Sequence, residues 1–158
     1  MKFNIRPASI NDANVISQLL VEGGELHAAA LPTLMKPPEI SMTQEFINHL
    51  LQDGKSHVLV AEVERQIVGY VHFNSVEEKE HPVVVPRSYV VVSSLIVAEE
   101  HRRRGIGQAF MEKVHEWAEA NEIDDVELQV YEFNAAARNF YEKLNYQTIS
   151  RRMKRRMR

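Results

Sequence analysis

The sequence contains no cysteine among its 158 residues. That absence excludes structural disulfides, catalysis by a thiolate and zinc sites built on cysteine. Long apolar runs are missing too, since none reaches the roughly 18 residues that a membrane-spanning helix requires. The first residues also lack the apolar core of a signal peptide. We therefore expect a cytoplasmic protein without a membrane partner.

A large excess of one charge is also missing, because the net charge of the chain is only −3. The distribution is uneven, since residues 151–158 carry six Lys or Arg side chains and no acid. The first 150 residues therefore hold 13 basic against 22 acidic side chains, a net charge of −9. An acidic body disfavours nucleic acid as a partner and suits a cationic substrate. The length predicts a single domain over residues 1–158.

The first third of the chain shows apolar periodicity interrupted by glycine and proline. The pattern predicts a strand at Phe3–Arg6 and a helix over residues 10–21, which Gly23 and Gly24 should end. Prolines interrupt residues 25–41. This segment is either a flexible loop near a substrate or a plain connector.

A second helix is predicted after this segment, with Ser41 or Thr43 as its N-cap and Gly54 at its C-terminus. Four apolar side chains form its predicted buried face: Phe46, Ile47, Leu50 and Leu51. Two strands should follow, at His57–Val63 and Ile67–Val76, and the short connection between them predicts an antiparallel hairpin.

The strongest strand is predicted at Tyr89–Val97, because its valines indicate burial on both faces and a central place in the sheet. A helix should follow Gly107, then a strand at Val126–Val130 and a helix capped by Asn134. Evenly spaced apolar side chains predict a basic edge strand over Tyr146–Met157. The evenly spaced apolar side chains are Ile149, Met153 and Met157. The predicted fold is α+β, with a mixed, mostly antiparallel central sheet flanked by helices in the order βααβββαβαβ.

A basic turn containing two glycines separates the strongest strand from the next helix. It consists of Arg102, Arg103, Arg104, Gly105, Ile106 and Gly107. Glycine lets the backbone approach an anion, the helix start presents N–H donors with partial positive charge, and arginine adds bidentate donors. The pattern favours a polyphosphate site over its alternative, a solvated basic turn.

Two common nucleotide motifs do not fit this turn. A P-loop requires Gly-Lys-Ser/Thr, which the sequence lacks. A dinucleotide fingerprint requires a third glycine where this chain has Phe110, and glycines directly at the strand end where a charged segment intervenes.

Residues 134–146 form a second motif, which matches a known family together with the basic turn. The family's first block, Arg-x-x-Gly-x-Gly, is matched by Arg102, Gly105 and Gly107. Its second block consists of Asn-x-x-Ala, then Phe-Tyr, then an ending similar to Leu-Gly-Phe. The matching residues are Asn134, Ala137, Phe140, Tyr141 and Leu144-Asn145-Tyr146. With its opening at residues 5–12, the chain resembles the GCN5-related N-acetyltransferase (GNAT) superfamily over essentially its whole length.

The resemblance implies an acetyl-CoA site between two strands that splay apart, Val90–Val97 and Val126–Val130. Pantetheine would bond to the backbone of the first strand, where an N–H near Leu95 or Ile96 would polarise the thioester carbonyl. The pyrophosphate would lie on backbone N–H groups of the basic turn. The implied cofactor-binding residues are Leu95, Ile96, Val97, Arg102, Arg103, Arg104, Gly105, Ile106, Gly107, Gln108, Asn134, Ala137 and Tyr141.

Tyr141 is also the implied catalytic residue, which would protonate the departing thiolate. Its alternative is a half-buried aromatic side chain on a helix. Arg138 and Lys143 would either contact the phosphates or remain exposed charges. Asn145 replaces a glycine of the family, and asparagine tolerates the same left-handed conformation, so the helix should still end there.

The acceptor side departs from the family, many of whose members carry glutamate on the central strand as a base for the amine. Ser93 and Ser94 occupy that place. The base is therefore unassigned, and a water chain or no dedicated base are alternatives to a side chain. The candidate side chains are Glu25, His27, His72 and Glu132. The seven histidines show no metal-ligand spacing, so we expect no metal.

Three functional hypotheses follow. In the first, a primary amine of a small molecule or a protein attacks acetyl-CoA directly in a ternary complex, which makes the chain an N-acetyltransferase. The second is a CoA-binding sensor or degenerate module without turnover, because Ser93 replaces the carboxylate. The third and least favoured is nucleic-acid binding through residues 151–158. A homodimer through sheet edges is a candidate assembly, since an edge strand needs cover.

Overall fold

The computed structural model of this chain describes residues 2–158, which form two compact units, one ending at Leu128 and the other spanning Gln129–Arg158. The strands of the first unit are β1 (Asn4–Pro7), β2 (His57–Val63), β3 (Gln66–Glu78), β4 (Arg87–Val97) and β5 (Asp125–Leu128). Its helices are α1 (Ala13–Ala30), α2 (Ile40–Gln52) and α3 (Ile106–Ala120), with short 3₁₀ turns before α1 at Ile10–Asp12 and before α3 at Glu99–His101. The second unit contains α4 (Ala135–Lys143). None of the helices in residues 2–158 has the length and apolar character that a bilayer crossing requires.

The five strands form one sheet in the order β1-β2-β3-β4-β5. Each neighbouring pair from β1 to β4 is antiparallel, whereas β4 and β5 are parallel. The tight β2–β3 hairpin turns through Glu64 and Arg65, whose φ angles of 50° and 67° are left-handed. The predicted hairpin is confirmed, and so is the α+β class with a mixed, mostly antiparallel sheet.

Helices cover both faces of this sheet. On one face, α1 and α2 pack against β2 and β3 in an apolar cluster that includes Ile16, Leu19, Ile47, Leu50, Val58, Val60 and Tyr70. On the other face, Trp117 of α3 lies edge-on to Phe73 of β3, with ring centroids 5.5 Å apart. Alternation along β3 sends Tyr70 and Phe73 to opposite faces. Each such fully buried side chain contributes about 1.5–3 kcal/mol to folding, so packing on both faces fixes β3 and β4.

The predicted end of the first helix at Gly23 and Gly24 is wrong, because α1 continues to Ala30. Both glycines serve close packing instead. A Cβ on Gly23 would lie 2.7 Å from Cδ1 of Ile96, and one on Gly24 would lie 2.3 Å from Cγ of Pro38. The missing side chains therefore let β4, and the loop that follows α1, approach this helix. Burial of the apolar face of α1 outweighs the low helix propensity of glycine.

The second helix also differs in detail from the prediction. It begins at Ile40 after Glu39 as its N-cap, and Thr43 lies one turn inside, where its hydroxyl donates to the carbonyl oxygen of Glu39 at 2.8 Å. Ile47 and Leu50 are buried as predicted, but Phe46 is 53% exposed. The proline-containing segment 25–41 thus contains the end of α1, a loop over residues 31–39 and the start of α2.

The final strand predicted for Tyr146–Met157 is not formed. Residues 144–158, all of which the structure describes, contain no strand, so the observed order is βααβββαβα. The apolar side chains of this segment are exposed: Ile149 by 76%, Met153 by 86% and Met157 by 75%. A spacing of four residues fits the helical period as well as the strand period, and the dense positive charge opposes tight pairing.

Candidate functional site

β4 changes its pairing halfway along its length. Its register with β3 joins Phe73 to Val92 and His72 to Ser94, so Ser93 is the extra residue of a β-bulge. Its parallel pairing with β5 ends at the same place, with Val92 opposite Leu128. β4 nevertheless continues to Val97, so residues 93–97 have β3 on one side and no β5 partner on the other.

The basic turn follows this half-paired stretch after the short 3₁₀ turn at Glu99–His101. Arg103 and Gly105 both adopt left-handed φ angles, of 59° and 83°, and Gly105 is the N-cap of α3. Arg102 ties the turn to the strand, because its Nε donates to the carbonyl oxygen of Val97 at 2.9 Å. Ile106 is fully buried and anchors the start of the helix. The turn therefore presents the first N–H groups of α3 beside a cluster of arginines, as an anion site requires.

Gly105 has a specific conformational role. No atom lies within 4 Å of the position that a Cβ would occupy there. The glycine is therefore required by its φ of 83°, and the space over its Cα is open to an approaching anion.

A cavity of about 350 Å³ lies within the first unit, between the two N-terminal helices and the bulged part of the sheet. It is lined by Leu20, Phe46, Ile47, Leu50, Tyr70, His72, Ser93 and Ser94. The hydroxyl groups of Tyr70 and Ser94 are 2.8 Å apart and hydrogen bonded. Burial raises the pKa of Tyr70 to about 12, so this phenol keeps its proton at neutral pH.

His72 is the basic side chain of this cavity. It is only 8% exposed, and its Nε2 atom is buried with no hydrogen-bond partner among the described residues. Burial lowers its pKa, and so does the nearby His57, whereas Asp53 acts in the opposite direction. The imidazole is therefore neutral at pH 7 and can accept a proton.

The other base candidates of the first unit are outside this cavity. Glu25 is exposed on α1. His27 donates from Nδ1 to the carbonyl oxygen of Gly23 at 2.9 Å. Of Glu25, His27, His72 and Ser93, only His72 and Ser93 line the cavity.

Glu132, the remaining candidate, belongs to the second unit. Its carboxylate forms ion pairs of 3.4 Å with both Arg138 and Arg151. Both oxygens of this carboxylate are therefore engaged by guanidinium groups of the second unit. Arg138, for which phosphate contact was one alternative, is engaged in this ion pair.

The second sequence block forms α4 as predicted. Asn134 caps the helix, because its Oδ1 accepts a hydrogen bond from the N–H of Ala137 at 3.1 Å. Asn145 has a φ of 65°, so the prediction that the helix still ends there in a left-handed conformation is confirmed. Burial raises the pKa of Tyr141 to about 12, and the ring of Tyr146 lies 5.7 Å from it. Tyr141 therefore holds its proton firmly at neutral pH.

The predicted cofactor-binding residues fall into two groups. Leu95 to Gln108 form one continuous stretch of the first unit, while Asn134, Ala137 and Tyr141 lie on the second. Sequence reasoning missed Tyr70 and the apolar lining of the cavity. Alternation along β3 could have placed Tyr70 beside His72, but their register with Ser94 depends on a bulge that has no sequence signature. Among the described residues, no group of three acidic or histidine side chains could hold a metal ion.

Comparison with known proteins identifies the family. Residues 25–146 match the family model described as Acetyltransferase (GNAT) family. The N-alpha-acetyltransferase of Sulfurisphaera tokodaii is 31% identical over 109 residues, which cover 66% of this chain and 64% of that relative. The chain thus spans a little under two thirds of that curated relative's length.

Solved structures agree with this match. A tetramutant of the BH1408 protein from Bacillus halodurans superposes with a TM-score of 0.92 at 28% identity, covering 98% of this chain and 99% of that one. The ribosomal-protein-alanine N-acetyltransferase of Brucella melitensis biovar Abortus 2308 gives 0.72 at 25% identity, with 99% of both chains covered. Because the family model covers residues 25–146, well over half of the sequence, this chain belongs to the GNAT family of acetyltransferases.

Proposed function

We propose that the protein transfers an acetyl group from acetyl-CoA to a primary amine by direct attack in a ternary complex. One observation carries the proposal: β4 continues to Val97 after its pairing with β5 has ended at Val92. After one 3₁₀ turn, this edge without a β5 partner leads to the turn at Gly105, where helix N–H groups and arginines meet. A cosubstrate with a peptide-like arm and a polyphosphate at one end suits this order of groups.

The donor fits the residues that the chain supplies. Leu95, Ile96 and Val97 would bind the pantetheine arm through their backbone, and residues 102–108 would bind the pyrophosphate through N–H groups and guanidinium charge. Acetyl-CoA would supply an acetyl group activated as a thioester. Tyr141 would protonate the leaving sulfur, which agrees with a pKa raised to about 12 that keeps the phenol protonated. Asn134 and Ala137 would complete the site by similarity to the family.

We further propose an α-amino group as the acceptor. The names of the relatives from Sulfurisphaera tokodaii and Brucella melitensis biovar Abortus 2308 describe acetylation at such groups. The cavity beside the bulge is lined by apolar and uncharged polar side chains and His72, without a carboxylate. Such a lining suits an amine next to an apolar side chain better than a compound with several positive charges.

Two linked measurements test the proposal. Calorimetric titration with acetyl-CoA should give saturable heat, and a panel of peptide and small-molecule amines should release free CoA thiol with at least one member. Absence of binding at about 1 mM, which detects interactions as weak as about −4 kcal/mol, would contradict the donor assignment.

A CoA-binding sensor without turnover is the second candidate. Ser93, exposed at the bulge, occupies the place where the resemblance to the family implied a carboxylate. Acetyl-CoA binding without thiol release across the whole amine panel would favour the sensor over the enzyme.

A further inference from the structure

His72 occupies an unusual position for a polar side chain. It lies on β3, opposite Ser94 and next to the bulge at Ser93, and it faces the cavity beneath α1 and α2. A buried imidazole nitrogen without a partner costs free energy, so such atoms are rare in folded proteins. Nε2 of His72 is one of these atoms among residues 2–158.

Nε2 of His72 is the proton acceptor of the cavity, because the other polar groups there are not suited to that role. The Tyr70 and Ser94 hydroxyls are already hydrogen bonded to each other. Ser93 is a hydroxyl group without a useful basicity near neutral pH. The remaining lining consists of aliphatic and aromatic side chains from the two helices.

We propose that Nε2 of His72 accepts the proton that the acceptor amine releases during acetyl transfer. The proposal rests on the acetyltransferase function proposed above. It assigns to His72 the role of base, which the hydroxyl of Ser93 cannot perform. Its geometric basis is the buried, unpartnered nitrogen in a cavity that adjoins the bulge of β4.

The proposed transfer balances in protons and electrons. The acceptor enters as an ammonium ion and gives one proton to Nε2 of His72, which later returns it to solvent. The nitrogen lone pair forms the bond to the acetyl carbon while the carbon–sulfur bond breaks and its electron pair remains on sulfur. The nitrogen releases a second proton, and sulfur gains one, so the products are an amide, a thiol and one proton in solvent.

The surroundings of His72 favour this role at neutral pH. Its pKa is lowered mainly by burial, and the titratable groups acting on it are Asp53 after α2 and His57 on β2. The part of β4 that faces it contributes only serine side chains, and Tyr70 stays protonated. An imidazole with such a pKa is ready to accept a proton throughout the physiological range.

The lowered basicity of His72 also selects among amines. An α-amino group has an ordinary pKa of about 7.7–8.0, so roughly one molecule in ten is already the free base at pH 7. A lysine side chain, with a pKa of about 10.4, provides only about one in 2,500. A weakly basic imidazole therefore matches an α-amine better than a lysine ε-amine.

The test compares His72→Gln with His49→Gln, which changes an exposed histidine on α2. Acetylation of a peptide amide with a free α-amine and an apolar first residue is followed from pH 5 to 9, corrected for ionisation of the peptide. We expect kcat/KM of His72→Gln to fall about 100-fold or more. The wild-type rise in rate with pH, centred below about 6.5, should disappear, while His49→Gln keeps it.

A second measurement does not depend on turnover. In the wild-type protein, the imidazole carbon resonance of His72 should titrate below about pH 6.5 and shift when the peptide amide is added together with CoA. A His72 that is protonated at pH 7, or a His72→Gln variant with the wild-type pH profile, would overturn the proposal. These results leave the acetyltransferase function standing, whereas failure of acetyl-CoA binding removes that function itself.

Discussion

Gly105 shows how much one residue of the basic turn contributes to the proposed donor site. Gly54 is a matched control, since it also has a left-handed φ, of 69°, and open space around its Cα. Gly105→Ala and Gly54→Ala should each cost about 1–2 kcal/mol of stability through backbone strain. Only Gly105→Ala should weaken acetyl-CoA binding, by about tenfold or more, which corresponds to about 1.4 kcal/mol. Calorimetry on both variants checks this, and equal affinities would place the pyrophosphate elsewhere.

Tyr141 is the residue proposed to protonate sulfur, and Tyr146 in the same unit is its natural control. Removal of the phenolic proton in Tyr141→Phe should lower kcat by about 100-fold, within the usual range for general acid catalysis. Because the ring remains, the Kd for acetyl-CoA should change by less than about twofold. Tyr146→Phe should retain kcat. Stopped-flow and steady-state thiol assays measure both effects, and an unchanged kcat for Tyr141→Phe would exclude the acid role.

At the scale of elements, Asp12 joins β1 to the start of α1. Its carboxylate accepts hydrogen bonds of 2.8 and 3.0 Å from Arg6 and one of 2.7 Å from the N–H of Ser9. The Arg6 hydrogen bonds hold its pKa below the ordinary value, against the effect of burial. A depressed carboxyl pKa stabilises the fold above the unfolded pKa, and this contribution is lost as pH falls through the folded pKa.

Asp12→Asn should therefore destabilise the protein by about 1.5–3 kcal/mol at pH 7. The difference from wild type should shrink as pH falls below about 4, where first the unfolded carboxyl and then, at lower pH, the folded carboxyl gains its proton. Urea unfolding at both pH values measures the effect. The exposed Asp124→Asn should stay within about 0.5 kcal/mol of wild type, and a pH-independent loss in Asp12→Asn would contradict the ionic origin.

Elements with a strong local pattern could be predicted from sequence, and elements decided by tertiary contacts could not. The hairpin after His57, the cap at Asn134 and the left-handed Asn145 all follow from local residue chemistry. The continuation of α1 through Gly23 and Gly24 does not, because the partners of these glycines, Ile96 and Pro38, are distant in sequence. The bulge at Ser93 and the cavity behind it likewise depend on register between strands.

At the scale of the whole molecule, the basic C-terminus contributes charge but no strand. Deletion of residues 151–158 removes six positive charges and changes the net charge from −3 to −9. The segment is exposed, and its ion pair between Arg151 and Glu132 is a surface pair worth at most about 1 kcal/mol. We expect Tm to fall by no more than about 4 °C. A larger fall in a thermal unfolding experiment would show that these residues pack as an added strand.

The half-paired strand β4 also bears on how this protein could acquire new substrates. The residues proposed to bind the donor in the first unit all fall within one continuous stretch of the chain, Leu95 to Gln108. The cavity is instead assembled from four separate elements, with Leu20 on α1 and Phe46 on α2 at its apolar side. If the proposed roles hold, substitutions on these helices should reshape acceptor preference while the proposed donor stretch stays intact. Acceptor choice and donor use would then be separately mutable, and directed evolution of the two helices is a route by which this chain would change its substrate.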